Sequence, residues 1–206
     1  MTDDPKGWNS RGYLPHFDSP ELTQHVVFRI AGSLPLDVID SLPGDASRRR
    51  VAVDAYLDRT AKGAPLGDPA LAAIVEGALL HFDGERYRLV AWCVMPNHVH
   101  VLFEQMPGWP LAKVVKAWKT FSAKAINKRK ARSGPFWAMD YFDRFIRGES
   151  HLWKTIDYIE GNPVRAGLIG SARLWRFSSA FSAPERSLDE SRGRKGADGD
   201  VRGPDA

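Results

Sequence analysis

Residues 86 to 104 read RYRLVAWCVMPNHVHVLFE, and this stretch decides the fold. Two apolar, β-branched runs, Arg86 to Met95 and His98 to Glu104, are separated only by the turn-forming pair Pro96-Asn97, so the sequence predicts a β-hairpin. Alternate residues of a strand share a face, ~6.5–7 Å apart along the chain. His98 and His100 therefore point together, while Val99, Val101 and Phe103 point into the opposite layer. Two imidazoles so placed can converge on one divalent ion. A bare His-x-His is equally the pattern of two polar residues on an exposed sheet face, so the metal reading needs a third group.

Before the hairpin, Gln24 to Ile30 alternates with Val26, Phe28 and Ile30 on one side and reads as a strand. Pro43 to Gly67 reads as an inserted excursion: a short helix around Arg48 to Thr60, then a Gly/Pro loop. Asp68-Pro69 supplies an N-cap and an N1 proline for a helix carrying Leu71, Ile74, Val75, Ala78 and Leu79 at helical spacing. After the hairpin the period changes to 3.6. At 100° per residue from Lys113, Leu111, Val114, Val115, Trp118, Phe121, Ala125 and Ile126 fall between about 80° and 220°, with lysines on the remaining arc. Phe136 to Ile146 reads as two short strands or an irregular aromatic segment, and Glu149 to Glu160 as a helix ended by Gly161 and Pro163.

The order strand, helix, hairpin, helix, short strands, helix predicts an α+β antiparallel sheet with helices packed on it, of the split βαβ, ferredoxin-like type. The organisation expected is an extended lead-in over 1–22, one domain over 23–182 and a tail over 183–206. Gly, Ser, Arg and Asp in that tail predict disorder.

Composition narrows the class. The 206 residues suit one well-filled core. A single Cys93 excludes an internal disulfide and a cysteine zinc site, which fits a reducing, cytoplasmic setting. The longest apolar run, Leu89 to Met95, falls far short of the ~18–20 residues of a membrane span, and no basic-then-apolar signal pattern opens the chain. The net charge of +4 is modest, but its placement is uneven. Between Leu111 and Arg147 ten Lys and Arg stand against two Asp. Concentrated positive charge beside aromatics is a footprint of nucleic-acid contact, and equally of a solvated helix face. Lys113, Lys116, Lys119, Lys124, Lys128, Arg129, Arg144 and Arg147 are the candidates to follow phosphates, with exposed tryptophans stacking unpaired bases.

The third group is sought on the last helix. With Leu152 at 0°, Ile156 and Ile159 lie at about 40° and 340° and define the buried stripe, while Tyr158 lies at about 240° with Asn162 as its i+4 neighbour. Pro163 biases Asn162 out of the α region, which leaves its amide at the helix end, free to turn toward an ion or to act as a C-terminal cap.

Arg11-Gly12-Tyr13-Leu14-Pro15-His16, Val27-Phe28-Arg29, Met95-Pro96-Asn97-His98-Val99-His100, Gly134-Pro135-Phe136-Trp137, Tyr141-Phe142-Asp143-Arg144, Tyr158-Ile159 with Asn162-Pro163-Val164, and Ala166-Gly167-Leu168 follow one another in the chain. In that order they resemble the REP-associated tyrosine transposases, of the single-tyrosine HUH endonuclease superfamily. The resemblance runs from about residue 11 to 181. It implies metal-dependent cleavage and rejoining of single-stranded or hairpin DNA through a 5′-phosphotyrosine, with Tyr158 as nucleophile and His98 and His100 as metal ligands. By analogy with relatives that place a Gln four residues after the nucleophile, Asn162 is the third ligand. Tyr141 is a rival nucleophile, placed by the family pattern in the aromatic segment as packing. Gly161 departs from relatives that carry a larger polar residue, and its flexibility would loosen the link from Tyr158 to Asn162.

A phenol of ordinary pKa ~10 is a weak nucleophile at neutral pH without help from its surroundings. The mixed donor set suits Mg²⁺ or Mn²⁺ with waters retained. No nucleotide cofactor is expected, since no phosphate-binding G-x-x-x-x-G-K-[S/T] loop is present. The resemblance further implies a bacterial, nucleoid-associated protein and leaves monomer and homodimer open. The competing reading is a non-catalytic nucleic-acid-binding module with the same fold, which gives His98, His100 and Tyr158 no role.

Overall fold

The computed structural model describes residues 7–10, 15–18 and 22–182. The expected tail lies outside them, as does much of the lead-in. What is described of the lead-in is a hairpin, β1 (Gly7–Ser10) paired antiparallel with β2 (Pro15–Asp18).

The main sheet is built from β3 (Thr23–Arg29), β4 (Tyr87–Val94), β5 (His98–Gln105) and β6 (Phe142–Phe145). Every pairing is antiparallel and the spatial order is β4-β5-β3-β6. With α3 (Pro69–Leu80) before the hairpin and α4 (Leu111–Arg129) after it, this is the split βαβ, ferredoxin-like arrangement that the order of elements predicts. Asp68 caps α3 by accepting from the Ala70 N–H at 3.0 Å, with Pro69 in the first turn.

One face of the sheet carries Val26, Phe28, Val99, Val101 and Phe103, packed against Leu71, Val75 and Leu79 of α3 and Val114, Val115, Trp118 and Ile126 of α4. Tyr87 donates to the Leu79 carbonyl at 2.7 Å and accepts from the Trp118 indole at 2.8 Å, so the polar ends of two large buried rings satisfy one another. The other face carries Ala91, Cys93, Met95 and Leu102 under Ile156 and Ile159 of α5 (Glu149–Glu160). Because helices cover both faces, β5 is buried along nearly its whole length. A bulge between Leu89 and Ala91 shifts the β4 register, turning Leu89, Trp92 and Val94 to one core and Ala91 and Cys93 to the other.

Two parts of the fold depart from the sequence expectations. Phe121, placed on the packed stripe of α4, is 59% exposed and stacks on His81 instead. Its neighbour Ser122 takes the buried position, donating to the Trp118 carbonyl at 2.6 Å and accepting from the Trp137 indole at 2.9 Å. The stripe is thus narrower than the apolar residues suggest. An unexpected helix, α1 (Leu36–Asp40), precedes the excursion, whose own helix is α2 (Ala46–Arg59), near the expected span. This region packs on the α5 side of the sheet through Leu34, Val53 and Leu57 against Phe142.

Candidate active site

The histidine pair sits mid-sheet on the face covered by α2 and α5. His100 stands opposite Val27 of β3 and Cys93 of β4, His98 stands opposite Arg29, and His25 stands opposite Leu102 on one side and Arg144 on the other. Opposed residues of neighbouring strands share a face, so His25, His98, His100 and Arg144 all point into one layer. The two paired histidines are fully buried, which removes the reading of polar residues on an exposed face.

Hydrogen bonds define how the rings are used. The Asn97 amide Nδ2 donates to the Leu57 carbonyl at 2.8 Å, so its Oδ1 faces His98 Nδ1, 2.7 Å away, and accepts from it. That leaves His98 Nε2 unprotonated. The Asn162 Nδ2 donates to His100 Nε2 at 2.7 Å, so the His100 proton lies on Nδ1, which donates to His25 Nε2 at 3.1 Å. The unprotonated Nε2 atoms of His98 and His100 then lie 2.9 Å apart, that of His100 also accepting from Asn162. Burial holds His98 and His25 near a pKa of about 3 and His100 well below the ordinary histidine value, so protonation is not the expected remedy for this approach. Two unprotonated nitrogens this close would serve as neighbouring ligands of one divalent cation once Asn162 releases His100.

Asn162 reaches this pair through an unexpected turn. The chain does not fray at Pro163. It continues as a one-turn helix α6 (Asn162–Arg165), because a proline in a first turn forfeits no hydrogen bond. Asn162 is therefore helical rather than extended, and its buried Oδ1 has no protein partner. Gly161 has an ordinary φ of −78°, so its backbone conformation does not itself require glycine. A Cβ there would lie 2.9 Å from the Asp157 carbonyl oxygen and 3.0 Å from Arg165 Nη1, so glycine admits a close approach. Through it the Arg165 guanidinium returns to donate to the Tyr158 carbonyl and lies 4.1 Å from the Tyr158 ring.

Tyr158 is half-buried, with its ring edge-on to His100 at 5.8 Å and to His25 at 6.3 Å between centroids. Its hydroxyl donates to Asp54 Oδ2 of α2 at 2.8 Å. One turn on, Asp58 Oδ1 lies 3.9 Å from His98 Nε2. Burial and the Asp54 charge push the Asp58 carboxyl up to about 6, and burial also raises Asp54. Desolvation, then the Asp54 charge, raise the Tyr158 phenol. Sequence reasoning missed His25, Asp54, Asp58, Arg50 and Arg165. The i, i+4, i+8 spacing of Arg50, Asp54 and Asp58, which puts them on one face of the helix, was the available signal.

Of the predicted phosphate contacts, Arg144 shares the site's face, and it acts with Arg50 on His25 and with Arg147 on His151. The α4 lysines lie across the sheet from the site. Lys113, Lys116, Lys124, Lys128 and Arg129 are exposed. Lys119 is half-buried and donates to the Ala138 and Met139 carbonyls, both at 2.8 Å, and burial brings it down to about 8. Tyr141, the rival nucleophile, is 9% exposed in the α4-side core, lining a cleft of about 520 Å³ with Lys116 and Lys119. The histidine pair does not reach it.

Among the described residues no three His, Cys, Asp or Glu side chains form a metal-binding group. The donors that converge are two imidazoles and one amide, a set that fits a divalent cation through the two unprotonated Nε2 atoms and the orphaned Asn162 oxygen.

The structure thus presents paired histidines on a ferredoxin-like antiparallel sheet to a tyrosine-bearing helix. Residues 72–162, the segment bearing the site, match the family described as transposase IS200 like. Over 103 residues the chain is 26% identical to a Haemophilus influenzae protein named as a REP-associated tyrosine transposase. That match takes in 45% of this chain and 58% of the relative, so the chain spans little more than half of the curated protein it resembles. A solved REP-associated tyrosine transposase bound to a REP hairpin shares the fold, with a TM-score of 0.59 at 16% identity over 89% of this chain and 87% of that one.

Proposed function

We propose that this protein cleaves and rejoins single-stranded DNA at hairpin-forming repeats through a covalent 5′-phosphotyrosine on Tyr158. The observation that carries the reading is that a tyrosine hydroxyl, two unprotonated imidazole nitrogens and an asparagine amide from three separate elements meet on one buried sheet face. A core that needed only packing would not put an unsatisfied amide oxygen beside two unprotonated imidazole nitrogens.

His98, His100 and Asn162 would hold Mg²⁺ or Mn²⁺. When bound, such an ion polarises a scissile phosphate and offsets the charge that develops on it. The chain's own residues do the rest. Asn97 fixes the His98 tautomer, and His25 orients His100 from behind. Arg165 holds the Tyr158 backbone and ring, which limits the directions from which the hydroxyl can approach phosphorus. Arg50, Arg144 and Arg147 supply positive charge on the same side for the strand's phosphates. The bond formed joins Tyr158 Oη to phosphorus and the bond broken frees a 3′-hydroxyl. The phosphodiester energy is thereby retained for rejoining, and no nucleotide is consumed.

The relative's named partner, a REP hairpin, supports a hairpin substrate. The test is to incubate the protein with Mn²⁺ and single-stranded oligonucleotides tiled across the DNA flanking its own gene, and to look for a covalent adduct. A Tyr158→Phe variant should form none. An adduct that survives this change and vanishes with Tyr141→Phe moves the nucleophile. Binding without any adduct favours the non-catalytic module.

A further inference from the structure

Helix α2 belongs to an insertion, yet it delivers a carboxylate to the one hydroxyl the proposed chemistry needs. We propose that Asp54 is the proton acceptor and positioning group for Tyr158, which makes α2 a catalytic arm of the site. The inference rests on the reading of Tyr158 as nucleophile.

Three observations carry it. Asp54 is 3% exposed, and its Oδ2 accepts from the Tyr158 hydroxyl at 2.8 Å. Its Oδ1 is buried without a hydrogen-bond partner. Orphaning a buried carboxylate oxygen is costly, and a fold that needed only to satisfy a half-buried phenol would meet the need with a carbonyl or an amide. Arg50 Nη1, one turn earlier, stands 3.5 Å from Oδ2 and favours the carboxylate form. The helix is also fixed relative to the histidines: Asn97, beside His98, donates to the Leu57 carbonyl and to Thr60 Oγ1 at its end. Displacing Asp54 thus means displacing the turn that orients His98.

In the forward step the Tyr158 Oη to phosphorus bond forms as the phosphorus to O3′ bond breaks. The phenolic proton passes to Asp54 Oδ2, and the departing 3′-oxygen takes its proton from water. Rejoining runs the same path backward: a 3′-hydroxyl attacks the phosphotyrosine, loses its proton to water, and Asp54 returns its proton to the leaving phenolate. Burial holds the Asp54 carboxyl above the usual carboxylate range, which makes it a stronger proton acceptor than an exposed carboxylate.

The experiment compares wild type with Asp54→Asn and Asp54→Glu as the full chain. Without DNA, protein labelled at the tyrosine ring carbon Cζ is examined by NMR, the Tyr158 resonance being assigned by its loss in Tyr158→Phe. Asp54→Asn should move that resonance while leaving the melting curve two-state; an unmoved resonance overturns the contact. With Mn²⁺ and the tiled oligonucleotides, single-turnover adduct formation should slow about 10²–10⁴-fold in Asp54→Asn. Oligonucleotide affinity should stay within about twofold, Asp54→Glu should restore part of the rate, and the deficit should shrink as pH rises and hydroxide takes over the proton. Adduct formation by Asp54→Asn at the wild-type rate overturns this step alone. Absence of a Tyr158-dependent adduct from wild type overturns the nucleophile reading and this step together.

Discussion

At the scale of single residues, the candidate site is a set of buried polar atoms held in positions that packing alone would not choose. In metal-free protein this has a thermodynamic consequence. His25 and His98 lie near a pKa of about 3 when folded, against 6.5 unfolded. Between those values the unfolded chain binds protons that the folded one refuses, so stability rises with pH across the window and is lost as pH falls from about 6.5. Asp58 works the other way between 3.8 and about 6, where the folded state keeps a proton that the unfolded one releases. The histidines outnumber it, so in chelator the melting temperature should fall steadily below pH 6.5, and His25→Gln should flatten that slope. A melting temperature independent of pH from 4.5 to 7 would contradict the buried neutral histidines. Gly161 offers a second residue-scale prediction. Gly161→Ala forces a Cβ against the Asp157 carbonyl oxygen and the Arg165 guanidinium. It should cut adduct formation at least tenfold by displacing α6, with Asn162 on it, and melting should shift by only a few degrees.

Elements explain why part of this was legible and part was not. The hairpin, α3, α4 and α5 follow from periodicity and caps, because each buries one stripe against the sheet and the stripe shows in the sequence. His98 and His100 were legible because i, i+2 spacing on a strand is a strict geometric relation. Phe121 was misplaced because the neighbouring Ser122 hydroxyl has a buried indole and a carbonyl to bond, which outweighs the hydrophobicity of an edge position. Asp54 and Asp58 were illegible because only tertiary packing decides that α2 faces the site rather than solvent. The charge run had a similar fate: periodicity put the lysines on one side of α4 but gave no hint that the sheet separates them from the histidines. The arginines of the site face should therefore dominate single-strand contact. Arg144→Ala with Arg147→Ala should lower the slope of log affinity against log salt by about 1.4, from ~0.7 per phosphate contact. Lys116→Ala, Lys124→Ala and Lys128→Ala together should leave the single-strand slope unchanged. The reverse pattern would place the strand on α4.

For the whole molecule, the sheet is the partition. Its α3 and α4 side holds the larger core, centred on Trp118 with Phe28, Tyr87 and Phe103 around it. Trp118→Ala should cost ~3–5 kcal/mol in denaturant unfolding without touching the residues of the site. The opposite side buries polar groups, and the proposed centre lies there. Its outer edge is closed by the segment after α6, where Val94 bonds the Phe177 carbonyl at 2.9 Å and the Trp175 indole donates to the Val94 carbonyl at 3.0 Å. No helix among the described residues is long and apolar enough to cross a membrane. The central claim is that this polar face is a tyrosine-based DNA-cleaving centre. Its most direct measurement is mass spectrometry of the protein after incubation with Mn²⁺ and the tiled single-stranded oligonucleotides. The account predicts a peptide containing Tyr158 that carries a 5′-linked DNA fragment and is lost in the His98→Ala, His100→Ala double variant. DNA attached at any other residue, or an adduct that forms without the histidine pair, would contradict it.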